Sequence, residues 1–585
     1  MLQSRLSCSL LARNVFGRGG RWWHFALIFA VLLWVSTSTL TPRRFRFRVF
    51  KSSRPVGGPR SPVIRLPGGP NDLWTGRANE VRKAFAHAYR GYQRHALPYD
   101  ELMPLTGGRV NNFHGWGVSM YDSLDTMWLM GLDDMFYDTM EDLAGQKFDL
   151  PPGEYAHFFE VVIRYLGGIL SAYALSEDPR LLKQAEMLGE KLLPAFNTPS
   201  GFPVWGVNTR TGDTTYGGHD AQATTCMAEA FSNQMEFKYL AHITGNAKFF
   251  EATEKPMKAM YGREHIMHGG LFAKMWDLRT GKPNQTDFTA AGCTDSAYEY
   301  FLKQWLMTGQ KELKMRDLYV RSANAIIEHL LYVGPRRQLL YSTDLNNGAA
   351  THHFQHLTCF LPALLALGTH TPGLKLSENE KKRHQWAAEG LANTCWVVYA
   401  DTTSGLSPDK FVMEKWGEPE RGRWVERVAE WEEAQAQNMK LGTLPPGVKD
   451  VKPEGEEKAR GYTASADMYL LRPEVVETFY IMWRTTGDVK WRERGWAVFQ
   501  ALEKNTKTKY GYTSVRYVDD RNYKPYQKDD MPSWFLAETL KYLFLLFTDE
   551  ELVPLDKWVF NTEAHPLPVF NWTKKEIEDY GIDVS

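Results

Sequence analysis

Along most of the chain, apolar residues recur three and four positions apart, the spacing that gives a helix one apolar face. The stretches 72–93, 158–176, 183–196, 227–245, 295–309 and 472–487 carry this period, and several end in Gly or Thr-Gly, as helix C-termini commonly do. Short polar turns and brief extended pieces, such as 201–212, separate them. Helix following helix in this way predicts an all-α fold of antiparallel pairs that close into a toroid. The pairs share no sequence repeat of the solenoid kind. Three stretches break the pattern. From Trp22 to Leu40 the chain is uncharged and apolar, with Arg5, Arg13, Arg18 and Arg21 before it. This predicts a transmembrane signal-anchor over 22–41, behind a cytoplasmic tail over 1–21. Residues 42–70 are rich in Arg, Pro and Gly without a period, which suits a flexible stem, so the folded body is expected over 71–585. Within it, residues 417–460 are strongly charged and contain Pro-Pro and PEGEE. They predict a surface insertion, a short helix followed by a mobile loop.

Composition narrows the function classes. The 585 residues leave room for several domains or one large closed architecture. Lys+Arg and Asp+Glu both number 69, so no net charge favours nucleic acid as a partner. The 20 Trp and 27 Tyr supply flat faces of the kind sugar-binding grooves use, although most such rings belong to cores. Five cysteines are too few for a disulfide-dense scaffold, and none has zinc-site spacing. Cys8 precedes the anchor, which leaves Cys226, Cys293, Cys359 and Cys395 for one or two bridges. Arg43, Arg44, Arg46 and Arg48 follow the apolar segment directly, so charge alone does not orient it. The sequons at Asn284 and Asn571 favour a lumenal body.

Several carboxylates stand in unusual settings. Glu160 lies among Phe158, Phe159, Val161, Val162 and Ile163, with Arg164 one helical turn further on. Burial opposes ionisation there unless Arg164 pairs with it, and the same residues equally fit a structural i,i+4 salt bridge. Glu474 and Glu477 share one helix face behind Arg472 and Pro473, in apolar surroundings that argue for partial burial; they also fit ordinary first-turn acids. Asp295, near Glu299, fits a site or a helix N-cap, and Asp122 and Asp125 have the same ambiguity. No Ser/His/Asp elbow, phosphate-cradling Gly loop or HExxH occurs.

In chain order these segments resemble one family. WGVSMYDSLDTMWLMGL and FFEVVIRYLGGILSAYALS are similar to signature motifs of glycoside hydrolase family 47. CTDSAYEYFLKQW, HLTCFLPALLALG, YLLRPEVVETFYIMWRTTGD and MPSWFLAETLKYLFLLF follow in family order, and VFNTEAHPLP resembles its terminal signature, so the resemblance spans roughly 75 to 568. It implies an (αα)7 barrel with the active site at its base and a C-terminal β-hairpin plug. It also implies an inverting α-1,2-mannosidase trimming high-mannose N-glycans as a single-pass type II protein of the endoplasmic reticulum or Golgi membrane, its catalytic domain monomeric. By motif position Glu160 would be the general acid and Glu474 the base, with Asp295 its rival or support. Arg164, Glu229, His356, Arg472, Glu477 and Glu538 would line the sugar pocket or its calcium shell, with Trp534 under the sugar where Phe is usual. Thr562 would bind Ca²⁺, and Cys359 would pair with Cys395. Pro532 and Met120-Tyr121 also depart from the family pattern without removing a carboxylate. Two residues before Asp295, endoplasmic-reticulum-type members carry Arg and Golgi-type members Leu. Here Cys293, read as a small uncharged side chain, predicts more room and broader trimming. The competing expectation is a degradation-associated relative that recognises glycans with weak turnover.

Overall fold

The computed structural model describes residues 72–584, apart from 218–222, 262–268, 438 and 440–441. The expected tail, anchor and stem lie outside the described residues. The rest is predominantly helical. Fourteen helices among the described residues form pairs. They are α1 (Leu73–His95), α2 (Leu124–Leu129), α3 (Asp133–Leu143), α4 (Phe158–Ser176), α5 (Pro179–Leu192), α6 (Gln234–Thr244) and α7 (Ala247–Tyr261). The series continues with α8 (Asp295–Met307), α9 (Leu313–His329), α10 (Leu361–His370), α11 (Glu378–Ala400), α12 (Glu474–Thr486), α13 (Lys490–Asn505) and α14 (Leu540–Phe547).

Two kinds of sequence make two kinds of helix. In α5, Leu181, Ala185, Leu188 and Leu192 form one buried stripe, Asp178 caps the N-terminus by accepting from the Arg180 amide at 3.0 Å, and Pro179 takes the first turn. By contrast α4 and α14 are apolar around nearly their whole circumference, and they and α8 are buried on almost every side. These form an inner layer. Each inner helix touches the next, from α2 through α4, α6, α8, α10 and α12 to α14, and the turn Phe535–Thr539 before α14 returns to α2. The amphipathic partners α3, α5, α7, α9, α11, α13 and α1 pack outside them. α4 is long and apolar enough to cross a bilayer, but 72% of its apolar window is buried in this layer, so its apolarity serves the core.

The strands are short and pair in two- and three-stranded antiparallel sheets. One hairpin matters for the site. Trp558–Phe560 pairs with Pro566–Pro568 in the register Val559↔Leu567, and its turn, 561–565, is buried among the inner helices. There the Asn561 amide donates to the Ile163 carbonyl at 3.0 Å and to Glu236 at 2.7 Å.

The 417–460 segment forms its expected helix, Trp424–Ala436, but much of it lies against the outer layer. Trp424 is fully buried and donates to the Pro446 carbonyl at 2.8 Å, and Val428 and Val448 are buried beside it. The Arg337 guanidinium grips both the Lys452 carbonyl, at 2.6 Å, and Asp401. A few apolar anchors thus pin to the outer layer a segment that is otherwise largely exposed.

Candidate active site

The N-terminal ends of the inner helices and the hairpin turn surround a cavity of about 340 Å³. Its lining holds eight carboxylates, Glu160, Glu229, Asp295, Glu299, Glu474, Glu477, Glu538 and Glu563, and two guanidiniums, Arg164 and Arg472. Trp534, Phe159, Ile163, Leu357, Phe360 and Pro473 supply apolar surface. Glu160 comes from α4 and Glu474 from α12, at least three places apart whichever way the inner layer is followed. They therefore face a bound molecule from different sides.

Two site carboxylates sit where the helix locally widens. Val161–Leu166 and Phe535–Thr539 are π-helical turns, and Glu160 and Glu538 lie at or inside them. Such turns shift a side chain relative to the regular helix and recur at functional sites. Arg164 is the hub of this wall. Its Nε donates to Glu160 Oε2 at 2.7 Å, its Nη1 pairs with Glu563, and Asp122 lies 3.9 Å away. The i,i+4 salt bridge and the cavity-lining position of Glu160 are therefore both realised.

On the opposite wall, His356 Nδ1 stands 2.9 Å from Glu474 Oε2 and its Nε2 stands 2.7 Å from the Tyr399 hydroxyl. His356 lies behind Glu474 and outside the lining. Burial pushes the Tyr399 hydroxyl well above its usual range, so it keeps its proton, and His356 is held between that hydroxyl and the carboxylate. Burial raises Glu474, but this hydrogen bond, the His356 charge and Arg472 outweigh it and hold the group below its ordinary value. Asp295 differs. It is the first residue of α8 behind the capping position of Thr294, its Oδ1 accepts from the Ser296 amide at 3.0 Å, and burial with Glu299 and Glu474 nearby pushes it up to about 7. The N-cap alternative for Asp295 does not hold. Burial also lifts Glu477 to about 8 against the opposing charge of Lys303.

Comparison with known proteins decides the lineage. The model of "Glycosyl hydrolase family 47" matches residues 84–569. The chain belongs to glycosyl hydrolase family 47. Within that family it is 36% identical over 519 residues to the endoplasmic reticulum mannosyl-oligosaccharide 1,2-alpha-mannosidase of Rattus norvegicus, a match covering 87% of this chain and 70% of that one. It is 32% identical over 532 residues to mannosyl-oligosaccharide alpha-1,2-mannosidase IA of Drosophila melanogaster, covering 89% and 72%. Among solved structures it is similar to the alpha-1,2-mannosidase from Trichoderma reesei, with a TM-score of 0.71, 28% identity and coverage of 85% of this chain and 99% of that one.

The cavity brings most of the expected site residues together. Glu160, Arg164, Glu229, Asp295, Arg472, Glu474, Glu477, Trp534, Glu538 and Thr562 all line it. Glu229 is held by His157 at 3.2 Å, and the Trp534 indole donates to the Leu470 carbonyl at 3.0 Å. Asp122 and Asp125 lie beneath the cavity, fully buried, where Asp125 binds Lys541 and His565. Sequence reasoning missed Glu563, whose partner Arg164 is 399 positions away; its place beside Thr562 in the terminal motif was the available signal. The expected Cys359–Cys395 bridge is present. Of the one or two bridges the cysteines allowed, the second is also present: Cys293 is bonded to Cys226, so the wall there is a disulfide. The partner lies 67 positions away on another segment, which the residue's size could not reveal.

The lining also bears on a metal. Its donors are chiefly oxygens, from carboxylates and from Thr562 at the hairpin turn, which suits a hard cation. Burial, with Glu563, Glu474 and Glu477 nearby, raises Glu538 well above its ordinary value. Among the described residues no three His, Cys, Asp or Glu stand close enough to hold an ion by themselves.

Proposed function

We propose that the protein is an inverting α-1,2-mannosidase that removes terminal mannose from high-mannose N-glycans, built as an (αα)7 toroid plugged by the 558–568 hairpin. The carrying observation is the pair of unlike carboxyl environments facing one cavity, Glu160 tied to Arg164 and Glu474 tied to His356. Arg164 occupies one oxygen of Glu160 and orients the group, whose other oxygen gives the proton to the departing glycosidic oxygen. Glu474 is the base. Held ionised by His356 and Arg472, it accepts the proton of the attacking water, with Asp295, lifted to about 7, as the supporting carboxyl group beside it. Trp534 stacks under the sugar ring, and Glu229, Arg472, Glu477 and Glu538 take its hydroxyls. Thr562 would hold Ca²⁺, which supplies Lewis-acid fixation of ring hydroxyls. Residues 22–41 anchor the chain as a type II protein of the endoplasmic reticulum or Golgi membrane; the bridged cysteines support an oxidising lumen.

The test is digestion of Man9GlcNAc2 with calcium or chelator, following product size and anomer. Stepwise loss of mannose as the β-anomer is expected, abolished by chelation. Glu160→Gln should lower kcat by about 10²- to 10⁴-fold while glycan binding persists. Tight binding without turnover at any calcium concentration would instead identify a glycan receptor.

A further inference from the structure

The two disulfides occupy different settings. Cys359 and Cys395 are fully buried and join the turn before α10 to α11. Cys226 and Cys293 are only partly buried and line the cavity. Cys226 ends the strand Thr224–Cys226 and occupies the capping position of the short helix Met227–Phe231, which presents Glu229 three residues on. Cys293 stands two residues before Asp295 and adopts φ +83°, in the left-handed region that a residue with a Cβ avoids. The same two segments meet twice more: the Ala228 amide donates to the Cys293 carbonyl at 2.8 Å, and the Ser232 hydroxyl donates to Ser296 at 2.8 Å. One wall of the cavity is therefore two separate segments, each carrying one site carboxylate, clasped at the rim by sulfur.

We infer that the Cys226–Cys293 bridge is a positioning cross-link of the active site, holding Glu229 and Asp295 at the spacing the glycan requires, and that a dithiol opens it while Cys359–Cys395 stays closed. This rests on the mannosidase reading of the cavity. Exchange needs access for an attacking thiolate, and the cavity gives it at the first bridge while burial denies it at the second. One thiolate of the dithiol attacks one sulfur of the bridge, forming a mixed disulfide and releasing the other cysteine as thiolate. The reagent's second thiol, as thiolate, then displaces the remaining cysteine and leaves as its own cyclic disulfide. Two electrons pass from the dithiol to the protein, and the two cysteine sulfurs take up the protons the reagent gives up. With the clasp open, Cys293 is free to leave its unfavourable backbone region and Asp295 to move relative to Glu229. Glu160 and Glu474 are untouched, so binding should suffer more than chemistry.

The experiment uses the full chain in detergent, titrated with dithiothreitol under native conditions. Freed thiols are alkylated and assigned by peptide mass spectrometry, far-UV circular dichroism follows the fold, and kinetics are measured on Man9GlcNAc2. Cys226 and Cys293 should label at concentrations that leave Cys359 and Cys395 protected. KM should rise about tenfold while kcat stays within about threefold, and reoxidation should restore the starting KM. The double variant Cys226→Ser, Cys293→Ser should match the reduced enzyme and ignore dithiothreitol. Unchanged KM with both cysteines labelled, or labelling of all four cysteines together with loss of helical signal, would overturn the inference. An oxidised enzyme without turnover would defeat the mannosidase reading instead. The cross-link is then still judged by direct titration of Man9GlcNAc2 binding, which must weaken on reduction for the inference to stand.

Discussion

At the scale of single residues, the site works by giving like groups unlike surroundings. Glu474 and Asp295 are both buried carboxyls near Arg472, yet one is held below its ordinary value and the other is lifted to about 7. The difference traces to His356, which hydrogen-bonds Glu474 alone. A base must be ionised to act, so the acid limb of kcat/KM should lie below pH 4.5, the ordinary Glu value. In His356→Phe burial is left without its main opponent, the pKa of Glu474 rises, and the limb should move to higher pH. A pH profile with an unmoved limb would assign the base elsewhere. Glu474 was legible because the order of motifs singled it out. The His356–Glu474 contact was not, since it joins residues 118 positions apart, and neither was Glu563 with Arg164.

At the scale of elements, the hairpin turn is held by charge inside the helix ring. Lys541 of α14 meets Asp125 of α2 at 2.9 Å and donates to the Ala564 carbonyl at 2.6 Å, and His565 meets Asp125 at 2.8 Å and Asp122 at 3.3 Å, all fully buried. Removing one member leaves its partners charged and unpaired, so Asp125→Asn should cost about 3–5 kcal/mol in denaturant unfolding. A loss under 1 kcal/mol would mean the turn is held chiefly by its apolar neighbours. The pH dependence has two signs. Burial raises Asp125, but Lys541 and His565 prevail and take it from 3.8 to about 2, so its stabilisation is complete above pH 3.8 and fades as pH falls through 2. Burial lowers His565, but Asp125 prevails and raises it above 6.5, so its share is present below pH 6.5 and fades as pH climbs through the folded value. Stability should thus crest between these limits, and Asp125→Asn should flatten both flanks. The helices were legible from apolar period alone. The π-helical turns were not, because a π turn changes hydrogen-bond partners without changing the residue pattern that precedes it.

At the scale of the molecule, closure of the inner layer depends on contacts that no window of sequence contains. The Thr126 hydroxyl donates to the Leu536 carbonyl at 3.1 Å across 410 positions, joining the turn before the last inner helix to the first. Period predicted paired helices; such contacts, which no period shows, set which helices neighbour one another and bring the hairpin turn against the inner ones. One large-scale property depends instead on residues at the surface. Asn284 and Asn571, the two sequon asparagines, are both exposed, and Thr573 of the second sequon caps the helix Lys574–Tyr580 through the Glu576 amide at 3.2 Å. N-glycans are added only on the lumenal side, so the sequons report which face of the membrane the body occupies. Arginines on both flanks of residues 22–41 leave the orientation unset by charge. If the body is lumenal, the full chain made in eukaryotic cells should migrate as a ladder of two steps that an endoglycosidase collapses. Asn284→Gln and Asn571→Gln should each remove one step, and protease added to sealed microsomes should spare the body. An unglycosylated, protease-sensitive body would place the cavity on the cytosolic face, away from maturing glycoproteins and from the oxidising conditions that keep Cys226–Cys293 closed.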